Sequence, residues 1–551
     1  MLFRAIGGAL VLAYILLRLF RSVLSPLRTV PGPFLARYTD AWYLWHVKKG
    51  RWEVRNIELH RKHGPIVRYG PNRYSLGGPE AVGTVYGHGT RFAKSSWYDA
   101  WTPPDGWNLF ADRSVRRHAE TRRQLQSTYS MTSLVSYEPY VDECADVFAR
   151  RLSEMAAAAA AAKAADNKTA PPLVDMGHWL QCYAFDVIGQ ITYGERIGFL
   201  DEGADVQGIM RAIEAQLAYG TLVGIYARFH RLAFAAVNFL AGKKGAGREY
   251  VVRLTRARVA AEEARRQRRR REESGGAEEK EEKEEKEEKE EKEEKEEEEG
   301  EGETATAGAA AEPFVSKFLA KNEQDPDRFS MQHVLAGCTA NMAAGSDTTG
   351  ITLSAILYHL LKRPACLRRL RAEVDEFRGR GLLSDAFGFR DTQRMPYLQA
   401  VIREALRMHP ATGLPMERVV PKGGATISGR FFPEGTIVGV NSWVAHRNAE
   451  VFGDDADEFS PERWLTSDDE KMAAMNRQWI PFGVGSRTCI GRHISTLEIS
   501  KLIPRIVRDF DFELSEETAE NPWTTQNYWF VKPQGFKVKV TTRVQKGGQS
   551  G

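Results

Sequence analysis

The sequence predicts an α-rich α+β body, mainly helical with small β-sheets, preceded by one N-terminal membrane-spanning helix. Three observations carry this reading. Residues 329–361 form a long, Ala-rich run that is apolar on one side and stops short of Pro364, where a helix is expected to end. The stretch "PYLQAVIREALRMH" puts Leu398, Val401, Ile402, Ala405 and Leu406 on one helical face, and "VVPKGGATISGRFFPEGTIVGVNSWVAHRN" then follows with β-rich runs between glycine turns. Finally, the chain opens on "MLFRAIGGALVLAYILLRLFRSVLSPLRTVPGP", in which residues 5–17 carry no charge.

Taken in order, residues 1–24 are long enough to span a bilayer if Arg18 and Arg21 snorkel. The uncharged core would also suit a signal peptide, but no small-x-small cleavage site follows it. Arg18, Arg21 and Arg28 outnumber Arg4, so the positive-inside rule leaves the body on the cytoplasmic side of an uncleaved, single-pass anchor. Residues 25–36, with Pro26, Pro31 and Pro33, read as a stiff hinge, and residues 37–545 as the body. Ala156 to Ala165 reads as a helix end running into a surface loop at Asp166.

A second irregular segment falls at about 262–312. It passes from "RRQRRRREE" through six EEK repeats to "GEGETATAGAAAEP". Nothing apolar is available to bury, so we expect an exposed insertion, part helical and part disordered. Its residues 278–299 are sixteen Glu and six Lys; against a formal charge of +4 for the whole chain, the remainder carries +14. Such a basic body suits an acidic protein partner or an anionic membrane. Nucleic acid is not expected, because no zinc-finger spacing or RNP-type motif accompanies the charge. Five scattered cysteines among 551 residues exclude a disulfide framework and indicate reducing surroundings.

The chemistry starts at "WIPFGVGSRTCIGRHI". Cys489 lies among Gly483, Gly485 and Gly491, with a helix-like run after it. At a helix N-terminus the dipole and free N–H groups favour thiolate over thiol. Zinc or an iron–sulfur cluster needs close partners such as a second C-x-x-C, and His493 alone completes no zinc site. One thiolate as the sole protein ligand points to haem, whose macrocycle supplies the other donors, and glycines would let the loop lie against it.

"FGVGSRTCIG" fits F-G-x-G-x-R-x-C-x-G at every fixed position and so resembles the haem-binding signature of the cytochrome P-450 family. Further motifs follow in the family's order over nearly the whole chain. "EALR" is similar to the family's E-x-x-R, and "PERW" to its P-E-R-F with Trp464 for Phe. The resemblance makes Glu404, Arg407 and Arg463 a structural charge network behind the haem loop. "AAGSDTTG" resembles the element whose acid–alcohol pair relays protons to dioxygen, here Asp347 and Thr348, with Thr349 ranked lower. A mid-helix Thr ordinarily bonds back to the i−4 carbonyl, which for Thr348 is Ala344.

The same resemblance implies that Arg487, Arg418, His118 and Arg122 meet the haem propionates. His118 stands where the family often has Trp, and a plain basic helix face is the alternative for "RRHAETRRQL". Phe482 and Gly491 complete the cofactor contacts. The wall of the substrate pocket carries over to Trp97, Tyr98, Trp101, Ala344, Leu414 and Trp523. If these aromatics line a pocket rather than merely pack, they select an uncharged, apolar, ring-containing molecule.

"RTVPGPFLARYTDAWYLW", "LHRKHGPIVRYGPN" and "WLQCYAFDVIGQITYGERIGFLD" resemble fungal microsomal members of the pisatin demethylase type. The resemblance thus implies a haem-thiolate monooxygenase of the endoplasmic reticulum membrane, acting by hydroxylation or O-demethylation in secondary metabolism or detoxification. It implies haem b with Cys489 as axial ligand to iron, and electrons from NADPH through cytochrome P-450 reductase, with cytochrome b5 as a further donor. The rivals are a haem-thiolate isomerase or dehydratase, against which the Asp347–Thr348 pair argues, and a non-catalytic haem carrier or sensor, which NADPH-dependent product formation would exclude.

Overall fold

The computed structural model describes residues 23–165, 172–241, 251–272, 311–383, 386–521 and 523–544, with isolated positions before 23. Most of the expected anchor and residues 273–310 of the insertion lie outside the described residues. Among the described residues no helix is long and apolar enough to cross a membrane.

Helices dominate, and six position the site: α1 (Val115–Gln126), α2 (Met176–Tyr193), α3 (Ile209–Ile225), α4 (Met331–Lys362), α5 (Pro396–Met408) and α6 (Arg492–Asp509). The longest, α4, is the expected Ala-rich run. Ser330 and His333 form a reciprocal cap at its start, satisfying backbone donors that would otherwise be orphaned, and it ends at Arg363 before Pro364. Its small residues allow close crossing by α2. A Cβ built on Gly345 would meet Ile188 Cγ1 at 2.9 Å.

The strands are short, as the glycine-punctuated sequence predicts. One mixed sheet has the order β1 (Ile66–Gly70), β2 (Arg73–Leu76), β8 (Ile437–Val440), β5 (Arg418–Val419), β3 (Ala93–Lys94). A three-stranded sheet joins β4 (Val174–Asp175), β12 (Lys537–Thr542) and β9 (Phe510–Leu514). Two hairpins complete the set, β6–β7 (Ala425–Ile427, Arg430–Phe432) and β10–β11 (Thr524–Tyr528, Phe530–Gln534).

Glu404 on α5 has no exposed side-chain surface. Arg407 Nε and Nη2 each donate to it at 2.8 Å, Arg463 Nε at 3.0 Å, the Ser460 N–H at 2.9 Å and Trp464 Nε1 at 2.9 Å. Trp464 is therefore more than an aromatic replacement, because its indole N–H completes the carboxylate's shell. Arg407 Nη1 donates in turn to the carbonyls of His446 and Ala456.

From there the connection runs to the cysteine loop. The Ile480 N–H donates to His446 Nε2 at 2.8 Å, so the ring's proton is on Nδ1, which reaches the Arg407 carbonyl at 3.0 Å. Burial lowers the His446 pKa to about 3, with Arg407 adding repulsion, and the neutral tautomer this wiring needs is the one present at neutral pH.

Residues 251–272 are one helix, with Val251, Thr255 and Val259 buried at four-residue spacing. Arg266 and Arg270 pair with Glu323, and Ser316 Oγ donates to Glu262 at 2.5 Å. The basic cluster thus starts on a docked helix rather than a detached one. At the far end, Tyr140 donates to the Ala311 carbonyl at 2.6 Å.

Trp464→Phe should lower the thermal midpoint by the equivalent of about 1–3 kcal/mol, since one donor to a buried carboxylate is lost. Unfolding monitored by circular dichroism checks this, and an unchanged midpoint would remove Trp464 from the network.

Candidate functional site

Residues 482–491 form a loop tied to its neighbours by its own backbone. The Cys489 N–H donates to the Phe482 carbonyl at 2.8 Å, closing it. Gly485 has φ +66°, and a Cβ there would lie 1.9 Å from the Tyr86 carbonyl oxygen. That glycine is required by the protein's own backbone rather than by a flat ligand. A Cβ built on Gly491 would meet nothing within 4 Å.

Arginines clamp this loop to α1. Arg122 Nη1 donates to the Thr488 carbonyl at 2.7 Å, and Arg487 Nη1 to the Asp112 carbonyl at 2.6 Å. Cys489 lies two residues before the Gly491 cap of α6. Cys489 is exposed. Desolvation pushes its thiol up, and the Gly491 N–H and the Arg122 and Arg492 guanidiniums pull back by less. Coordination to a metal would deprotonate it.

Positive charge gathers beside the loop. Arg418 on β5 is buried and donates to the Glu417 carbonyl at 2.9 Å. Burial lowers the Arg487 pKa to about 10, with Arg418 repelling it. Lys94 on β3, which sequence reasoning missed, is buried over the rings of Tyr98 and Phe110, each 4.3 Å away. Burial, with Arg418 and Arg487 adding repulsion, pushes the Lys94 ammonium far below the usual lysine range.

Neighbouring carboxylates are already committed: Asp112 to Arg117 at 2.7 Å, and Glu417 to Arg73. A group carrying two carboxylates, as haem does, fits this cluster. His118 is buried, and burial, with Arg487, Lys94 and Arg122 repelling its proton, lowers its pKa to about 3. Its ring N–H is placed to meet an anion.

On α4, Thr348 donates to the Ala344 carbonyl at 2.8 Å, the expected back-bond, and Ala344 is exposed. Thr349 instead reaches Ser495 of α6 at 3.2 Å. Asp347, next to Thr348 in sequence, turns elsewhere. Gln181 of α2 donates to Asp347 Oδ1, and Lys532 of β11 lies 3.0 Å from Oδ2.

The aromatic residues divide into two places. Trp97, Tyr98 and Trp101 pack with Phe110 and Trp529, and the Trp97 and Trp101 centroids lie 5.2 and 5.9 Å from that of Trp529. Trp529, also missed, is at the β10–β11 turn with φ +79°. Its carbonyl accepts the Gly413 N–H at 2.9 Å, which ties the hairpin to the segment holding buried Leu414. Trp523 belongs to the other place: it stacks on Tyr358 of α4 at 4.1 Å. Tyr358 is fourteen residues beyond Ala344, about 21 Å along the helix. Trp523 is core, not pocket wall.

A mostly helical fold with small sheets, a cysteine loop clamped beside cations that have no carboxylate partner among the described residues, and a small-residue helix fit a haem-thiolate class of protein. The sequence model of the Cytochrome P450 family matches residues 37–540. The chain is 35% identical over 537 residues to a pisatin demethylase of Fusarium vanettenii, covering 97% of this chain and 94% of that protein. It is 36% identical over 497 residues to a cytochrome P450 monooxygenase of Aspergillus terreus, covering 90% and 92%. A cytochrome P450 monooxygenase of Penicillium aethiopicum is 32% identical, covering 98% and 97%. The chain belongs to the cytochrome P450 family and is an enzyme of the monooxygenase class. Membership implies a haem-thiolate cofactor, a redox partner and a small-molecule substrate.

Cys489→Ser should abolish the long-wavelength Soret band of the reduced carbon monoxide complex while the protein stays folded. Retention of that band would remove Cys489 as the ligand.

Proposed function

We propose that this enzyme inserts one atom of dioxygen into an uncharged, apolar, ring-containing small molecule, by hydroxylation or O-demethylation, in fungal secondary metabolism or detoxification. The observation that carries the reading is the clamped loop that leaves the Cys489 side chain accessible beside a committed-carboxylate, free-cation cluster. A haem b held by the Cys489 thiolate would supply dioxygen activation. Arg418, Arg487 and Arg122 would hold its propionates electrostatically, with Lys94 and His118 beside them as hydrogen-bond donors.

Proton handling falls to α4. The Thr348 hydroxyl is anchored by Ala344, which leaves its oxygen lone pairs turned to accept and pass a proton. The neighbouring Asp347 carboxylate is buried and supplies the acid function. This pairing favours monooxygenation over isomerase, dehydratase or carrier roles.

For the substrate, the packed rings of Trp97, Tyr98, Trp101, Phe110 and Trp529 support an apolar aromatic partner. Trp101 Nε1 is buried with no hydrogen-bond partner among the described residues. A hydroxyl, ether or carbonyl oxygen on the ring would satisfy it.

Electrons come from NADPH through a flavoprotein reductase, with cytochrome b5 as a second donor. The endoplasmic reticulum membrane, with the body cytoplasmic, is the proposed location. Exposed Phe34, Leu35 and Trp45, and Phe239 and Leu240 with 86% and 81% of their surface free, support contact with a lipid surface.

Reconstitution with reductase, NADPH and dioxygen tests the reading. Uncharged, oxygenated aromatic compounds should convert the haem from low to high spin and be oxidised in a dioxygen-dependent way. Thr348→Ala should keep binding but divert NADPH consumption to peroxide. Tight binding confined to small carboxylic acids would contradict the substrate class, and an unchanged product yield per NADPH in Thr348→Ala would contradict the relay.

A further inference from the structure

In the mixed sheet β5 and β8 run antiparallel, with Arg418 opposite Val438 and Val419 opposite Ile437. The same register sets Met416 opposite Val440, and the Met416 N–H donates to the Val440 carbonyl at 3.0 Å. In such a pair the return bond runs from the Val440 N–H to the Met416 carbonyl. Here it passes through Tyr86. The Tyr86 hydroxyl accepts the Val440 N–H at 2.7 Å and donates to the Met416 carbonyl at 2.8 Å.

Tyr86 is the last residue of the helix Pro79–Tyr86 and is buried. Burial raises its pKa, with the Arg418 cation pulling back by less, so the hydroxyl keeps the proton it donates.

Further contacts make this residue a junction. The Arg418 guanidinium lies 5.0 Å from the centre of the Tyr86 ring. Arg418 Nη1 also reaches the Met416 carbonyl, at 3.3 Å, so hydroxyl and guanidinium share one acceptor. On the other side, the Tyr86 carbonyl is the group that leaves no room for a Cβ at Gly485. Tyr86 thus meets the strand that carries Arg418 through its side chain, and the loop that carries Cys489 through its backbone.

An oxygen inserted between paired strands holds them apart, because its two legs together exceed the single N–H···O distance of a closed pair. Without it the buried Val440 N–H needs another acceptor. The Met416 carbonyl opposite is the nearest in register, and turning to it would take that carbonyl from Arg418.

We propose that Tyr86 is a positioning residue for the haem site. Its hydroxyl, wedged between β8 and Met416, sets the direction of Arg418 toward a propionate and its distance from the cysteine loop. The proposal rests on Arg418 meeting a propionate, as in the reading above, and Tyr86 acts through that arginine.

The test is a double-variant cycle on the haem-loaded full chain, with haem release to excess apomyoglobin and the haem reduction potential as readouts. Tyr86→Phe keeps the ring under Arg418 and removes only the hydroxyl. It should release haem about fivefold faster, in line with the net worth of one hydrogen bond. It should also lower the potential, because a cation turned away from the propionate favours the more positive, oxidised iron. Arg418→Gln should do both as well. In the double variant neither quantity should move beyond Arg418→Gln, since the hydroxyl has lost the group it aims.

Additive effects in the double variant would make Tyr86 merely structural and overturn the proposal. So would wild-type release and potential in Tyr86→Phe beside an impaired Arg418→Gln. Wild-type behaviour of Arg418→Gln would instead overturn the propionate reading, and the proposal with it. Should Tyr86→Phe not fold, hydrogen exchange at the Val440 amide of the wild-type enzyme decides. Protection matching that of Val438 supports the wedge, and fast exchange overturns it.

Discussion

The buried Glu404 carboxylate is the interaction on which the site depends. Five donors from four residues converge on it, two guanidiniums among them. A buried ion pair of this kind adds little net stability over an apolar replacement, but breaking it costs about 3–5 kcal/mol. Its consequence here is positional. Arg407 is held by Glu404 and by the carbonyls of His446 and Ala456, and His446 carries that fixed point to the N–H of Ile480, two residues before the loop that holds Cys489.

From that point each further restraint acts on a chain already aimed. Arg122 and Arg487 hold the loop's carbonyl side to α1 and the Asp112 turn. Thr349 of α4 meets Ser495 of α6, which follows the loop directly. The cysteine loop and α4 are therefore carried by rigid elements, while the Trp97–Trp101 turn packs against Trp529 at the β10–β11 turn. This division suits one chemistry applied to many substrates.

Local chemistry was legible in the sequence, and contacts between distant segments were not. The Cys489 loop, Glu404 with Arg407, and the Thr348 back-bond each lie within a few consecutive residues, so spacing exposes them. Lys94, Trp529 and Lys532 gain their meaning only from partners far off in the chain, and no spacing signals them. Trp523 was placed in the wall by resemblance alone, and its stacking on Tyr358, rather than on the Trp529 cluster, depends on a contact that its own sequence neighbourhood does not show. The helix at 251–272 had a visible signal in Val251, Thr255 and Val259, which the surrounding arginines obscured. His118 shows the limit of reading electrostatics from residue type, since burial beside Arg487, Lys94 and Arg122 pushes its pKa down.

The central claim is that the buried Glu404–Arg407–His446 connection, and not the cysteine loop alone, presents the thiolate. The most direct measurement is the reduced carbon monoxide spectrum of His446→Leu, which keeps side-chain bulk but removes the hydrogen bonds to Ile480 and Arg407. The account predicts a folded, haem-containing protein with native helical circular dichroism whose long-wavelength Soret band is largely replaced by the shorter-wavelength form. A full long-wavelength band that persists up to the wild-type unfolding temperature would contradict it.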